Sequence, residues 1–255
     1  MSNKIWIIIL IISLFLIAAS GYNIVKLYRE YQAGIDEYEE LEQYVLVEEP
    51  AEALEDTQTD SKINVSLQIN HPVLEAMNPD YCGWLYYEPL KISYPIVRGQ
   101  DNEYYVKHTF EGEENKSGAI FMDAYNWPDY GDYNTFIYGH NMRNRTMFGS
   151  LKKLLNDEEK IVENNPYFYV FTEEKAYMYE IFAVYNTKSD SDTYHLIHSK
   201  EEQEANIAHI KEKATWLSDK EIKSEDKIVT LSTCYGVQTK NRTVVQGVLV
   251  AAEDR

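Results

Sequence analysis

A cysteine, a histidine and an arginine stand where a thiol-based reaction would need them. Cys234 ends the stretch Thr230–Cys234, Arg242 follows it by eight residues, and His140 ends an apolar run ninety-four residues upstream. The thiolate is the reactive form of cysteine, and a nearby cation favours that form and stabilises an oxyanion after attack on a carbonyl. An imidazole can carry the proton to a departing amine, because its pKa lies near neutrality. These residue types predict Cys234 as nucleophile, His140 as acid and base, and Arg242 as oxyanion stabiliser.

Each of the three residues also has an ordinary structural interpretation. A cysteine at a strand end is often a small buried residue. A histidine there is often only hydrogen-bonded, and an arginine at a strand start is often a surface residue. The five-residue motif Thr230–Cys234 by itself supports the nucleophile and the buried cysteine equally. The blocks of sequence around the three residues therefore decide between the interpretations.

Those blocks resemble the sortase family, and within it class B. The similar segments run in the family's order over most of residues 78 to 252: Tyr94–Val97, Asp101–Tyr105, Gly118–Asp123, Ile137–Met142, Met147–Leu151, and Thr230–Cys234 with Arg242. A single five-residue string recurs by chance, whereas ordered blocks of this number do not. The spacing of Arg242 from Cys234 and the block around His140 match the family pattern, which favours the catalytic interpretation of all three.

The resemblance implies a membrane-anchored cysteine transpeptidase on the outer face of a Gram-positive-type cell. Its substrates would be secreted proteins with a C-terminal sorting signal similar to Asn-Pro-x-Thr-x, and its acceptor a peptidoglycan amine. The resemblance also implies that Ser232 lines the substrate groove. No metal or organic cofactor is predicted, because thiol, imidazole and guanidinium complete the chemistry. Several class B members have an acidic residue after the cysteine, where this chain has Tyr235. The predicted reaction does not need that acid.

Three other functions use the same residues or the same fold. A cysteine endopeptidase would resolve the thioester with water. A pilus-assembly sortase would use a lysine of another subunit as acceptor, and a non-catalytic adhesin could retain a decayed sortase barrel. A metal site at His195 and His198 is not predicted, because no cysteine or carboxylate set completes their His-x-x-His spacing.

Composition and charge predict one sizeable globular domain with appendages. The chain has 255 residues, 44% of them hydrophobic, and a net charge of −18. Twelve acidic residues and no basic ones lie between residues 30 and 60, so the remainder holds thirty acidic against twenty-four basic residues. No basic stripe is left for nucleic acid to bind. The second cysteine, Cys82, is predicted to be a buried small residue, although a bridge to Cys234 stays open at this point.

The N-terminal segment predicts a membrane anchor. Ile5 to Ala19 are apolar except for Ser13, and the stretch to Val25 is about long enough to cross a bilayer. A signal peptide cleaved after an Ala-Ala-Ser site is the alternative. Lysines and arginines do not decide the orientation, so an external catalytic domain is implied by the family resemblance alone. The predicted domains are an anchor (1–25), an acidic, partly helical stalk (26–62) and a catalytic domain (63–255).

The fold class predicted for the catalytic domain is mainly β, with an N-terminal helical segment over 63–77. Short apolar or alternating runs indicate eight strands near 84–87, 92–97, 118–122, 134–139, 167–172, 176–186, 227–233 and 243–251. An eight-stranded β-barrel is what the sortase resemblance implies. Between the sixth and seventh strands, apolar residues at helical spacing predict an amphipathic helix over 199–217.

Overall fold

The computed structural model describes residues 3–48, 63, 65–156, 160–234 and 240–255. Eight strands form a closed barrel in the order β11-β10-β6-β5-β4-β3-β7-β8, and β8 pairs with β11 to complete the circle. The β4–β5 and β6–β10 pairs are parallel, and the other pairs are antiparallel. The barrel strands are β3 (Tyr81–Tyr87), β4 (Ile92–Val97), β5 (Ile120–Met122), β6 (Asn134–His140), β7 (Tyr167–Phe171), β8 (Lys175–Lys188), β10 (Ile228–Cys234) and β11 (Asn241–Asp254).

All eight predicted barrel strands are confirmed. Their centres agree with the prediction, and the differences lie at the ends, where β8 and β11 are each 14 residues long. These two strands pair with each other over most of their length, so pairing extends them beyond their apolar runs. Large aromatic side chains fill one continuous core, among them Trp84, Phe168 and Tyr179, each fully buried. Burial of such side chains is the main stabilising contribution to the barrel.

The inserted helix is confirmed, but it ends earlier than predicted. Helix α4 spans Lys200–Lys213, and the hydroxyl of Ser199 caps it by accepting from the N–H of Glu202. Ile207 and Ile210 are buried in a second apolar cluster on β8 and β11. Residues 216 and 217 are not helical: they form the short strand β9 (Trp216–Leu217), which pairs with β8. Pairing with the edge of β8 therefore outweighs the helical pattern of the sequence at these two residues.

A single helix covers the predicted anchor and continues beyond it. Helix α1 spans Asn3–Leu41, and its apolar part is long enough to cross a membrane and is not buried in the protein. It is a candidate membrane anchor. The helix passes residue 25 without a break, and its last turns contact the barrel, where Tyr38 and Leu41 are buried. The predicted stalk is thus helical and in contact with the barrel up to residue 41, and its part from 49 to 62 lies outside the described residues.

The predicted helix over 63–77 is wrong in its first half. Strand β2 (Ser66–Ile69) pairs with β1 (Val45–Glu48), and helix α2 (His71–Met77) begins only at the proline-containing turn that follows. Proline at the first turn fixes the helix start, because it has no N–H to donate to the preceding turn. Leu67 and Leu74 are buried, whereas Met77 is exposed.

Candidate active site

Two of the three predicted catalytic positions end neighbouring strands. His140 is the last residue of β6 and Cys234 the last residue of β10, and the parallel register makes them partners. Adjacent strands lie about 5 Å apart, which brings the two backbones together at one rim of the barrel. The side chain of Cys234 and the whole of Tyr235 lie outside the described part of the chain.

The third position, Arg242, lies on the next strand. It is the second residue of β11, which pairs with the other side of β10 through Ser232 and Val244. Continued by two residues, this antiparallel register brings Arg242 opposite Cys234. Its positive charge also helps to lower the pKa of His140, as expected for a cation near the imidazole. Three adjacent strands therefore carry the three predicted residues to one rim.

The imidazole of His140 is held in one tautomer. Its Nε2 lies 2.7 Å from the carbonyl oxygen of Val106. A carbonyl only accepts hydrogen bonds, so Nε2 carries the proton and Nδ1 is left as the basic nitrogen of the neutral ring. Burial lowers the pKa of His140, the bond to Val106 raises it, and the charge of Arg242 lowers it, with a net shift downward. The neutral ring is therefore favoured at neutral pH, and it can accept a proton.

The position of the Val106 carbonyl beside His140 is fixed by hydrogen bonds within its loop and by close packing against Gly118. The Asp101 carboxylate accepts from the N–H groups of Glu103 and Tyr104, which fixes the turn before Val106. Gly118 then packs under the loop at a positive φ of 56°. A Cβ at Gly118 would lie 2.6 Å from the Tyr105 oxygen, 2.9 Å from the Val106 oxygen and 3.0 Å from Cδ2 of His140. Only glycine fits this approach.

The sequence motifs around Cys234, His140 and Arg242 do not point to Val106 or Gly118 as parts of the site. Val106 acts through its backbone carbonyl, so its side chain carries no signal of that role. Gly118 does carry one, since glycine before a short apolar run is typical of a close backbone approach. The segments Asp101–Tyr105 and Gly118–Asp123 were among the blocks that resemble sortases, and the structure brings both to the histidine.

Ser232 lies two residues before Cys234 and is fully buried. Its hydroxyl lies 2.7 Å from the hydroxyl of Tyr194, which precedes α4 in the chain. The Tyr194 ring lies near those of Phe136 and Tyr138 on β6, with centroids 5.9 and 6.3 Å away. Ser232 thus contacts an aromatic cluster beside the predicted active site. Its role in substrate binding stays a prediction.

His195, His198 and Cys82 are not part of the predicted catalytic group. Among the residues that the structure describes, no group of three His, Cys, Asp or Glu side chains could hold a metal ion. His195 and His198 are exposed and lie in a loop. Cys82 is a free, half-buried thiol, so it does not form the bridge to Cys234 that the sequence left open. Burial raises the pKa of the Cys82 thiol to about 12, so this cysteine is a poor nucleophile at neutral pH.

Comparisons with known proteins agree with this fold. The sortase domain model matches residues 86–250. Sortase B of Listeria monocytogenes is 31% identical over 232 residues, which cover 89% of this chain and 92% of that protein. The crystal structure of sortase B from Bacillus anthracis in complex with AAEK1 is 30% identical with a TM-score of 0.71, covering 88% of this chain and 99% of that one. Sortase B of Clostridium perfringens is 34% identical with a TM-score of 0.65, covering 71% and 99%.

The closed barrel and the matched domain define a transpeptidase: the chain belongs to the sortase family, whose members are enzymes of the cell envelope. Within that family it is a class B sortase, since its curated relatives and its structural neighbours are sortases B. Sortases in general act on proteins that carry a sorting signal and on amines of the cell wall.

Proposed function

We propose that this class B sortase cleaves an Asn-Pro-x-Thr-x-like signal at the C-terminus of secreted proteins and transfers them to a peptidoglycan amine. Helix α1 would hold it in the membrane as a single span, with the barrel outside the cell. The domain division into anchor (1–25), linker (26–62) and catalytic domain (63–255) belongs to the same proposal. The observation that carries it is the arrival of His140, Cys234 and Arg242 on three adjacent strands at one rim.

The reaction begins with the thiol of Cys234. Nδ1 of His140 accepts its proton, and the sulfur attacks the carbonyl carbon of the signal's threonine to form a tetrahedral oxyanion. The guanidinium of Arg242 binds this oxyanion, since its planar fork offers several donors at a fixed charge. The C–N bond then breaks, and the proton on His140 passes to the leaving amine. A thioester on Cys234 remains.

The second half of the reaction reverses these steps with a different amine. The acceptor amine attacks the thioester carbonyl and loses a proton to His140, and a second tetrahedral oxyanion, which carries the acceptor nitrogen, forms beside Arg242. Its collapse forms the new amide and releases the thiolate of Cys234, which regains its proton. The net change is one amide bond exchanged for another, so thiol, imidazole and guanidinium suffice. The low pKa of His140 supports this role, because a neutral ring is ready to accept the first proton.

The test is a peptide assay with the full chain in detergent micelles. The enzyme is incubated with Asn-Pro-x-Thr-x and Leu-Pro-x-Thr-Gly libraries plus candidate amines, and the products are identified by mass. We expect cleavage after threonine in the Asn-Pro set, an amine-linked product, and loss of both in Cys234→Ala. Hydrolysis alone with every amine would favour an endopeptidase, and transfer only to a lysine of a pilin subunit would favour pilus assembly. Unchanged processing by Cys234→Ala would refute the proposed nucleophile.

A further inference from the structure

The second half of α1 lies against the segment that carries Val106. The backbone carbonyl of Glu30 accepts from the side-chain amide of Asn115 at 2.8 Å, and the Glu30 carboxylate pairs with Lys116 at 3.2 Å. Seven residues later, the Glu37 carboxylate accepts from the N–H of Glu111 at 3.0 Å. The helix therefore contacts this segment at two levels about 10 Å apart along its axis.

Tyr38 makes the contact nearest to the imidazole. It is buried, and its hydroxyl donates to the carbonyl of Gly118 at 2.8 Å. Gly118 lies so close to the Val106 carbonyl and to the His140 ring that a Cβ there would be within 3.0 Å of both. Gly118 thus lies between the Tyr38 hydroxyl and the Val106 carbonyl, which accepts the hydrogen bond from His140.

Tyr38 also supports the chain on the other side of His140. Its ring meets that of Tyr94 edge to face, with centroids 5.4 Å apart. The Tyr94 hydroxyl accepts from the N–H of Met147 at 3.1 Å, and the next residue, Phe148, donates its N–H to the carbonyl of His140 at 2.9 Å. Tyr38 therefore contacts both the loop that binds the imidazole of His140 and Tyr94, which holds the turn after His140.

We propose that Tyr38 and Glu37 are positioning residues for His140, and that residues 30–41 of α1 are a structural support of the active site. The inference rests on the proposed catalytic role of His140. The helix that carries the candidate membrane anchor thereby also fixes the geometry of the catalytic histidine, with no break between the two parts.

The hydroxyl of Tyr38 matters separately from its ring. In Tyr38→Phe the ring still packs on Tyr94, but the buried carbonyl of Gly118 loses its donor, which removes the hydrogen bond from α1 that lies nearest to His140. The loop can then move away from His140, its Val106 carbonyl holds the ring less firmly, and water reaches the imidazole. Since burial is the main cause of the low pKa of His140, that pKa should move up toward its usual value.

The experiment compares two phenylalanine substitutions on the same helix in the full chain in detergent micelles. Tyr38→Phe removes the buried hydroxyl, and Tyr28→Phe is the matched control, because Tyr28 is 63% exposed. We expect kcat to fall about tenfold in Tyr38→Phe, with KM changed less than twofold, and no change in Tyr28→Phe. The His140 pKa, measured by NMR titration of its ring and assigned with His140→Gln, should rise only in Tyr38→Phe.

Glu37 provides a second pair of variants. Glu37→Gln keeps an oxygen that can accept from Glu111, so its kcat should stay near that of the natural chain, whereas Glu37→Ala should lower kcat and raise the His140 pKa. Wild-type kcat and an unchanged His140 titration in both Tyr38→Phe and Glu37→Ala would overturn the inference, even if their melting temperatures fell. The NMR titration needs no substrate. A rise in pKa without any activity in the natural chain would contradict the proposed function and leave the positioning role standing.

Discussion

Cys234 and His140 form the last pair of a seven-residue parallel ladder between β10 and β6. Buried side chains fix the register of this ladder. The hydroxyl of Thr230 donates to the side-chain oxygen of Asn134 at 2.7 Å, and the side-chain amide of Gln246 on β11 donates to Thr230 at 2.9 Å. A register slip by one residue would place these polar groups among apolar neighbours without partners. The network therefore also fixes where the two strand ends meet.

The first prediction concerns His140 as the proton carrier. In His140→Gln the side-chain amide can still donate to the Val106 carbonyl, but it cannot accept the thiol proton. We expect kcat/KM for peptide cleavage to fall by about 10²- to 10⁴-fold with the fold retained. His198→Gln, at an exposed histidine, should be unaffected. Near-normal cleavage by His140→Gln would exclude the histidine from proton transfer.

The pH dependence of the natural enzyme follows from the same ring. Because the pKa of His140 lies below its usual value, the neutral ring persists to lower pH than a free histidine would allow. The acid side of the kcat/KM profile should therefore have its midpoint below about 6.5. A midpoint above that value, absent in His140→Gln, would contradict the assigned protonation state.

The second prediction distinguishes the positive charge of Arg242 from the planar arrangement of its hydrogen-bond donors. Arg242→Lys keeps a positive charge but loses the planar fork of donors, so we expect kcat to fall by about 10²- to 10³-fold. Lys240→Ala is the control, since Lys240 is an exposed neighbouring cation whose partner is Asp190 at 2.6 Å. Kinetics of both variants on one peptide would test the assignment. Full activity in Arg242→Lys would mean that charge alone is sufficient.

Gly118→Ala should damage both stability and catalysis. The positive φ of 56° strains any residue with a Cβ, and the added atom would lie 2.6 Å from a backbone oxygen. We expect the free energy of unfolding to fall by about 1–3 kcal/mol and kcat to fall as His140 is displaced. Gly112→Ala also has a positive φ, of 84°, but its new atom would make only an ordinary contact, 3.5 Å from the Tyr104 hydroxyl. It should lose stability without a matching loss of kcat, and equal losses of kcat in the two variants would argue against displacement of the histidine.

We expect protonation of His71, a residue outside the predicted active site, to lower the free energy of unfolding at acid pH. Arg255 donates to its Nε2 at 2.9 Å, so Nδ1 carries the proton and lies 2.8 Å from the Tyr81 hydroxyl. Burial first and the Arg255 charge second lower the pKa of His71 to about 4. The unfolded chain, with a pKa near 6.5, then binds more protons than the folded chain between these two values.

The contribution of His71 is fully present above about pH 6.5 and is lost as the pH falls toward about 4, by up to about 3 kcal/mol. Denaturant unfolding from pH 7 to pH 4 should therefore show a flatter decline in His71→Gln than in the natural chain. His198→Gln should retain the natural slope. An identical slope in His71→Gln would exclude His71 as the cause.

Much of the barrel could be predicted because its strands are apolar runs bounded by turn residues. The inserted helix was visible from the spacing of Ile207 and Ile210, which are indeed buried. The exceptions are places where tertiary pairing outweighs local pattern. Leu217 continues the helical spacing, but Trp216 and Leu217 pair with β8, and Ser66–Ile69 pairs with a strand from the acidic region. Neither partner is near in sequence.

The sequence also predicts Cys234, His140 and Arg242 as active-site residues at strand ends. It does not predict the residues that hold His140 in place. A backbone carbonyl such as that of Val106 has no side-chain signature, and the contact between Tyr38 and Gly118 joins residues 80 positions apart. Tyr38 falls in a stretch whose acidity suggests a solvated stalk, and only its burial against the barrel shows otherwise.

The most direct measurement of the central claim is the intact mass of the enzyme after exposure to an Asn-Pro-x-Thr-x peptide without any added amine. We predict a covalent adduct equal to the acyl fragment ending in threonine, released by hydroxylamine and located by digestion on Cys234. It should persist in Cys82→Ala and vanish in Cys234→Ala. An adduct on any other residue, or cleavage by Cys234→Ala at the natural rate, would contradict the assignment of Cys234 as the nucleophile.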